Sequence, residues 1–258
     1  MADRFPNVRT LGVDEAGRGP ILGPLVLAAV VVDTSAARAL TRAGVADSKG
    51  FGAGPDAHAR RCELVPLILA RAASVTVEVV PVDELDRRVL RKELNVLERE
   101  VATRLIDRSA AHDKILADGE RLFGPLAAAY PALLAKDGAE ARHVAVAAAS
   151  VIAKVRRDEL FACIARRYEA TFGPVTGGGY LNDATNRFLR AYLGRHGELP
   201  PEARRSWQIT KLVDAFPPGY DPRGELERLH APQLSLLDAS VSRPRASAPA
   251  DQPSTSST

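Results

Sequence analysis

Residues 11–20 read LGVDEAGRGP, and residues 21–32 continue as ILGPLVLAAVVV. The apolar residues 8–13 predict a short strand that runs into the acidic pair Asp14 and Glu15, and the Gly-Arg-Gly-Pro that follows predicts a turn. Residues 21–32, rich in valine and leucine, predict a buried second strand that forms a hairpin with the first. Two adjacent carboxylates are therefore expected where a buried strand ends.

The rest of the chain predicts alternating helices and strands. We expect helices over residues 57–73 (with a break at Pro66), 83–109, 150–171 and 182–196, and strands over 74–80, 114–117 and 143–149. A hairpin followed by this alternation is typical of an α/β domain with a mixed sheet. We expect a main domain over residues 1–172, a small helical extension over 173–230, and a disordered Ser- and Pro-rich tail over 231–258.

Composition narrows the class of protein. With 258 residues, 46% hydrophobic and 26% charged, the chain can bury a sizeable core. Its longest uncharged apolar stretch, residues 21–32, is too short to span a bilayer, and the N-terminus does not resemble a signal peptide. We therefore expect a cytoplasmic protein with no membrane contact. A net charge of +3 is compatible with a polyanionic partner but does not establish one.

The cysteines and histidines do not predict a zinc site. Cys62 and Cys163 lie within predicted helices, without partners at metal-ligand spacing, and we expect both to be buried, reduced thiols. The five histidines are scattered along the chain. A catalytic metal, if the protein uses one, should therefore be bound by oxygen.

Four carboxylates are the candidate functional groups. Asp14 and Glu15 could cap a turn, but neighbouring residues of a central strand point to opposite faces, so one of them could instead enter a cleft. Asp118 follows a short predicted strand and could be a helix N-cap. Asp158 shares a helix face with apolar residues, which favours an inward direction, although an exposed pair with Lys154 is the simpler alternative.

Taken together, the four acids indicate more than each does alone. Two strand ends and one helix face can converge at the edge of a sheet, where four carboxylates repel each other unless divalent cations neutralise them. Mg²⁺ and Mn²⁺ prefer such oxygen-only sites, and two such ions are suited to phosphoryl displacement. This arrangement predicts a nuclease or phosphotransferase.

Five sequence blocks resemble ribonuclease HII. They are GVDEAGRGP at 12–20, GPLV at 23–26, DSK at 47–49, ADG at 117–119 and AASVIAKVRRD at 148–158, in the family's order over residues 8–212. The DSK block continues as GFGAG instead of the usual lysine-leucine run, which puts the phosphate contacts of that loop in doubt.

The resemblance implies a ribonuclease H-like fold: a mixed five-stranded sheet flanked by helices, with a catalytic domain over residues 1–172 and a small C-terminal helical extension. It also implies cleavage of RNA in RNA/DNA hybrids and nicking at single ribonucleotides in duplex DNA, leaving 3′-hydroxyl and 5′-phosphate ends. Carried over, the catalytic and metal-binding set for two divalent cations, Mg²⁺ or Mn²⁺, is Asp14, Glu15, Asp118 and Asp158.

Further residues resemble the family's substrate contacts. The loop of Gly17, Arg18 and Gly19 is similar to the family's junction-reading loop. Glycine suits that role because it lets the backbone approach a 2′-hydroxyl, although the same residues could also form an ordinary tight turn. Tyr180 resembles the tyrosine that stacks on the following sugar, or it could simply anchor its loop. The implied phosphate contacts, for which a solvated basic face is an alternative on the helix, are Ser48, Lys49, Lys154, Arg156 and Arg157.

The predicted tail contains one apolar cluster, residues 233–237 (Gln233, Leu234, Ser235, Leu236, Leu237). It resembles the short peptides that dock on sliding clamps, although it could also be the fraying end of the last helix. The family default is a monomer. Two other functions stay open: a catalytically silent hybrid-binding module, and another two-metal nuclease of the same fold.

Overall fold

The structure, a computed structural model, describes residues 7–45, 51–52, 54–207 and 209–230. In these ranges a five-stranded mixed sheet has helices on both faces, which confirms the predicted fold class. The strands are β1 (Thr10–Ala16), β2 (Leu25–Val32), β3 (Ser74–Val80), β4 (Lys114–Asp118) and β5 (Leu133–Lys136). The helices are α1 (Thr34–Arg42), α2 (Pro55–Arg71), α3 (Val82–Leu90), α4 (Leu94–Arg108), α5 (Glu120–Phe123), α6 (Val144–Phe172), α7 (Asp183–His196) and α8 (Pro222–Leu229). Short 3₁₀ turns span Gly124–Ala128, Ala139–Ala141 and Thr210–Ala215.

The strand order is β3-β2-β1-β4-β5. β1 and β3 both run antiparallel to β2, whereas β4 runs parallel to β1 and to β5. β2 is buried along its whole length, which explains its uncharged, valine-rich sequence: both of its faces are covered. β1, which carries the acidic pair, lies at the centre of the sheet.

The two faces of β1 pack against different helices. Leu11 and Val13 belong to the apolar cluster that contains α4, whereas Ala16 belongs to the cluster that contains α6. Gly12 faces α6 so closely that a Cβ atom there would lie 2.1 Å from the carbonyl carbon of Ala145. Glycine is therefore required at this position, since a larger residue would push the helix off the sheet.

The fifth strand lies elsewhere than predicted. Residues 143–149, expected to be a strand, are the N-cap and first turns of α6, and β5 at Leu133–Lys136 takes the edge position beside β4. Residues 145–149 of the misassigned segment are buried on all sides, and a continuous apolar run has no periodicity that separates a buried helix from a buried strand. Its alanine content favours the helix.

Two predicted helix boundaries are also wrong. The helix expected over 83–109 is two helices, α3 and α4, separated at Lys92, whose φ of 60° is left-handed without a glycine to signal it. The expected break at Pro66 does not occur: α2 continues through it. Pro66 is exposed, so water can reach the carbonyl group that the proline leaves without a backbone donor.

α7 packs against the segment before β2 and the C-terminal half of α6, whereas α8 contacts α3. α7 shares an aromatic cluster with α6, in which Tyr168 and Phe172 contact Phe188 and Tyr192. Leu22, between β1 and β2, forms an isolated bridge with Ala203. These contacts bring residues 199–207 against the loop that follows β1. No helix in the described ranges is long and apolar enough to cross a membrane.

Candidate functional site

The acidic pair lies within β1, which extends three residues beyond the predicted strand. Asp14 is 5% exposed and shares the α6 side of β1 with Gly12, so its surroundings include Lys154. Glu15 points to the opposite side, where Glu98 of α4 is its largest source of repulsion. The pleat of the strand thus sends two neighbouring carboxylates to opposite faces of the sheet.

Both acids resist ionisation in this position. Burial raises the pKa of Asp14 well above its ordinary value, and the charge of Glu15 raises it further. Burial also raises the pKa of Glu15 to about 7, with repulsion from Glu98 and then Asp118, while Arg18 opposes the shift. One oxygen of Glu15, Oε2, is buried without a hydrogen-bond partner. Repelling, oxygen-only donors with an unsatisfied atom fit a divalent cation such as Mg²⁺ or Mn²⁺.

Glu98 is a fully buried acid below the loop that follows β1. Its Oε2 lies 2.9 Å from Nη1 of Arg18, and Nη2 of Arg18 donates a hydrogen bond to Oδ1 of Asn95 at 2.5 Å. Burial raises the pKa of Glu98 to about 7, while Arg18 opposes this shift. The side chain of Arg18 is therefore held from α4, next to the acidic pair.

The other two predicted acids approach the pair from different elements. Asp118 ends β4 beside β1, close enough to raise the pKa of Glu15, and its Oδ1 accepts a hydrogen bond from the Ala139 N–H at 2.7 Å. Asp158 lies on α6, and 34% of its side chain is exposed. Within the described ranges, no three His, Cys, Asp or Glu side chains are arranged closely enough to hold a cation together. The four acids therefore come from neighbouring elements, but in the described residues their side chains do not form a ready set of metal ligands.

A cavity of about 250 Å³ joins most of the predicted site. Its wall contains two of the four acids, Glu15 and Asp158, and the side chain of Lys154. Arg157 of α6 also lines the cavity, and the loop after β1 and the loop that follows residues 177–179 border it with Gly17, Arg18, Gly19 and Tyr180. Two carboxylates, the lysine Lys154 and two loops therefore line one open pocket.

The two loops of the pocket touch each other. Gly17 has a φ of 91°, and a Cβ atom there would lie 2.8 Å from the carbonyl oxygen of Pro24. Gly19 is so close to Tyr180 that a Cβ atom would lie 3.2 Å from its ring. The Gly179 carbonyl accepts hydrogen bonds from the backbone N–H groups of residues 21 and 22. The Tyr180 ring is consequently held beside the first loop, with 55% of the residue exposed.

Arg204 fixes the first loop from the C-terminal side. Its guanidinium is completely buried and donates to the carbonyl oxygens of Gly17, Arg18 and Gly23 at 2.5, 3.0 and 2.9 Å. Burial lowers its pKa to about 9, and its charge lies over the ring of Trp207 at 4.7 Å. The loop's orientation therefore depends on a residue almost two hundred positions away along the chain.

Several predicted positions have other outcomes. Ser48 and Lys49, and residues 233–237 of the tail, lie outside the described residues. Arg157 is buried and donates to the Leu22 carbonyl, so it braces the loop instead of forming an exposed basic face with Arg156, which pairs with Glu159. The predicted burial of Cys163 is wrong, since it is exposed on the outer side of α6, and Cys62 is only partly buried.

Sequence reasoning missed Glu98, Asp86 and Arg204. Glu98 falls one turn after Leu94 on the apolar stripe of α4, and this pattern could have identified it by the argument used for Asp158. Asp86 fixes the turn that follows Arg204, because its carboxylate accepts hydrogen bonds from the backbone N–H groups of Arg205 and Ser206. Nothing local in the sequence marks Asp86 or Arg204 as part of the site.

Comparison with known proteins gives a consistent result. The family model described as Ribonuclease HII matches residues 11–210. Ribonuclease HII of Thermococcus sibiricus is 33% identical over 213 residues, which cover 79% of this chain and 90% of the relative.

Solved structures are similar over the same region. Ribonuclease H2 of Pyrococcus horikoshii has a TM-score of 0.67 at 28% identity, covering 86% of this chain and 98% of that one. A structure of the PCNA:RNase HII complex from Archaeoglobus fulgidus matches with a TM-score of 0.65 at 30% identity, covering 81% and 100%.

The buried acids predict a pH-dependent stability. Because the pKa of Glu15 is raised from 4.5 to about 7, its ionisation costs stability as the pH rises through this window. In EDTA, we expect Glu15→Gln to raise the free energy of unfolding at pH 8 by about 2 kcal/mol and to change it little at pH 5. Thermal and denaturant unfolding at both pH values measure this difference.

Glu63→Gln, at an exposed acid that pairs with Arg60, is the matched control and should show no such dependence on pH. Equal effects of Glu15→Gln at pH 5 and pH 8 would contradict the electrostatic description of the pair.

Proposed function

The chain belongs to the ribonuclease HII family and is a ribonuclease H that acts on RNA/DNA hybrids, and from that premise we propose a finer activity. It nicks duplex DNA at single embedded ribonucleotides by two-metal-ion hydrolysis, leaving 3′-hydroxyl and 5′-phosphate ends. The observation that carries this proposal is the shared cavity, which places two acids, Lys154 and the loop of residues 17–19 around one space. We also propose the division into a catalytic domain over 1–172 and an extension over 173–230.

Divalent cations are general to this family, and the residues that would hold them here are Asp14, Glu15, Asp118 and Asp158. When bound, the two ions would activate the attacking water and stabilise the leaving oxygen. The acids supply the negative charge that would retain the ions, and burial, followed by repulsion from neighbouring carboxylates, raises the pKa values of Asp14 and Glu15.

The chain's other groups would orient the substrate. Lys154 supplies a cation for a backbone phosphate at the cavity wall, and Ser48 and Lys49 are proposed to do the same from outside the described residues. Arg204 draws the carbonyl groups of Gly17 and Arg18 into the protein, so the loop presents a fixed backbone to the ribose. Recognition of a 2′-hydroxyl by backbone requires such a fixed surface.

Asp14→Asn tests the catalytic assignment. Removing this charge with little change of shape should lower nicking of a duplex with one embedded ribonucleotide by at least about a thousandfold, because cation retention fails. Affinity for the hybrid should stay within about twofold, since Asp14 is buried and most binding comes from phosphate contacts. Gel-based nicking with Mg²⁺ or EDTA and fluorescence anisotropy measure the two quantities.

Asp214→Asn, at an exposed acid bonded to Arg190, should leave both quantities unchanged. A native chain that binds the hybrid without cutting it would indicate a silent binding module. Cleavage of all-DNA junctions in preference to the embedded ribonucleotide would indicate a different two-metal nuclease.

Tyr180→Ala tests the stacking role. The exposed ring beside Gly19 is placed to cover the sugar that follows the ribonucleotide, and losing such a contact should lower the single-ribonucleotide nicking rate by about tenfold or more. Tyr180→Phe keeps the ring and should retain most of the rate. Equal rates for the native chain and Tyr180→Ala under single-turnover conditions would remove Tyr180 from the substrate site.

We propose that residues 233–237 bind a sliding clamp, while the chain itself is a cytoplasmic monomer. Support comes from the Archaeoglobus fulgidus relative, whose structure is a complex with PCNA, and from the Gln-Leu-Ser-Leu-Leu sequence itself. A labelled peptide spanning this segment should bind purified clamp saturably, and a peptide with Leu236 and Leu237 changed to Ala should not. Fluorescence titration without saturation at high micromolar clamp would overturn the proposal.

A further inference from the structure

α2 brings two side chains to Asp158 that the sequence analysis did not connect with the site. His58 Nδ1 lies 3.1 Å from Asp158 Oδ2, and Arg61 Nη2 lies 3.8 Å from the same oxygen. Arg61 is buried, whereas 38% of the His58 side chain is exposed. The Asp158 carboxylate at the cavity wall is therefore contacted from α2, none of whose residues lines the cavity.

A third residue contacts the ring nitrogen of His58 that faces away from the acid. Cys62 lies one helical turn after His58, and its Sγ is 3.4 Å from Nε2. Burial raises the pKa of the Cys62 thiol, so the S–H persists and can donate to Nε2. An ionised carboxylate can only accept a hydrogen bond, so the proton shared with Asp158 belongs to Nδ1. His58 therefore donates from Nδ1 to Asp158, while Cys62 contacts the opposite side of the ring.

Both contacts from α2 fall on the same oxygen of Asp158. Oδ1 lies 3.8 Å from Nη1 of Arg157, the same separation as between Arg61 and Oδ2, so of these three groups only His58 is within ordinary hydrogen-bond distance of the acid. The short hydrogen bond to Oδ2 restricts the rotamer of the carboxylate, and the longer contact at Oδ1 leaves that oxygen able to meet a cation. Hydrogen-bonded partners of metal-binding carboxylates act in this way, orienting the ligand without touching the ion.

We propose that His58 is a positioning residue for the hydrolytic reaction: its Nδ1–H donates to Oδ2 of Asp158 and fixes the direction in which Asp158 meets a divalent cation. The role rests on the proposed function, because it requires Asp158 to be a cation ligand. His58 itself touches neither the cation nor the substrate. If His58 only held α2 against α6, any side chain of similar size would serve equally well.

The test compares two variants of the full chain that differ in the position of the hydrogen-bond donor at residue 58. In His58→Asn the amide nitrogen replaces Nδ1, whereas His58→Gln keeps the length of the side chain but moves the amide toward the position of Nε2. We expect His58→Gln to weaken Mn²⁺ binding, measured by calorimetry with Mn²⁺ alone, by about tenfold, and to lower kcat similarly. KM for the hybrid should change less than about twofold. His58→Asn should stay within about threefold of the native chain in both measurements.

Arg60→Ala, on the exposed side of the same helix, is the control and should leave Mn²⁺ affinity and kcat unchanged. Equal Mn²⁺ affinity and kcat in the native chain and His58→Gln would overturn the proposal, as would equal losses in His58→Asn and His58→Gln. Circular dichroism of each variant shows that any loss occurs in a folded chain. A native chain that neither binds Mn²⁺ nor cuts the hybrid would instead overturn the proposed function, so the two failures are distinguishable.

Discussion

The candidate site depends on two adjacent carboxylates in the central strand of a sheet that is covered on both faces. Burying one unpaired carboxylate costs several kcal/mol, and two neighbouring ones also repel each other. β1 reduces this cost by sending Asp14 and Glu15 to opposite faces, with Lys154 on one side and Arg18 on the other. The remaining excess of negative charge, increased by Glu98, is what a divalent cation would neutralise. The packing that stabilises the sheet therefore also buries the negative charge that a divalent cation would neutralise.

The loop beside these acids is held from the far end of the chain. Arg204 donates to three backbone carbonyl groups, and Asp86 fixes the turn that follows it by accepting from Ser206. A buried guanidinium without partners would be very unfavourable, so the carbonyl groups and the Trp207 ring stabilise Arg204 as much as Arg204 stabilises the loop. This reciprocity makes the helical extension a structural part of the candidate site.

The sequence predicts the elements whose pattern is local and periodic. β2 and β3 follow from alternating or continuous branched residues, the acids at 14, 15 and 118 are identified at predicted strand ends, and Asp158 is identified on an apolar helix face. The start of α6 could not be predicted, because a helix buried on all sides has no polar face to give it a period. The contacts of Arg204 and His58 could not be predicted either, since each joins segments that only the tertiary fold brings together. Glu98 could have been predicted, because it is an acid on the apolar stripe of α4.

The four acids differ in how firmly the backbone directs them. In a strand the pleat fixes which face a side chain takes, so Asp14, Glu15 and Asp118 receive their directions from β1 and β4. Asp158 stands on a helix at the rim of an open cavity, where several rotamers are sterically available. Each rotamer that the carboxylate samples lowers the fraction of molecules in which it faces the other acids, and restricting it costs conformational entropy. A neighbouring donor that selects one rotamer before a ligand arrives removes that cost, which is the role proposed for His58 on α2.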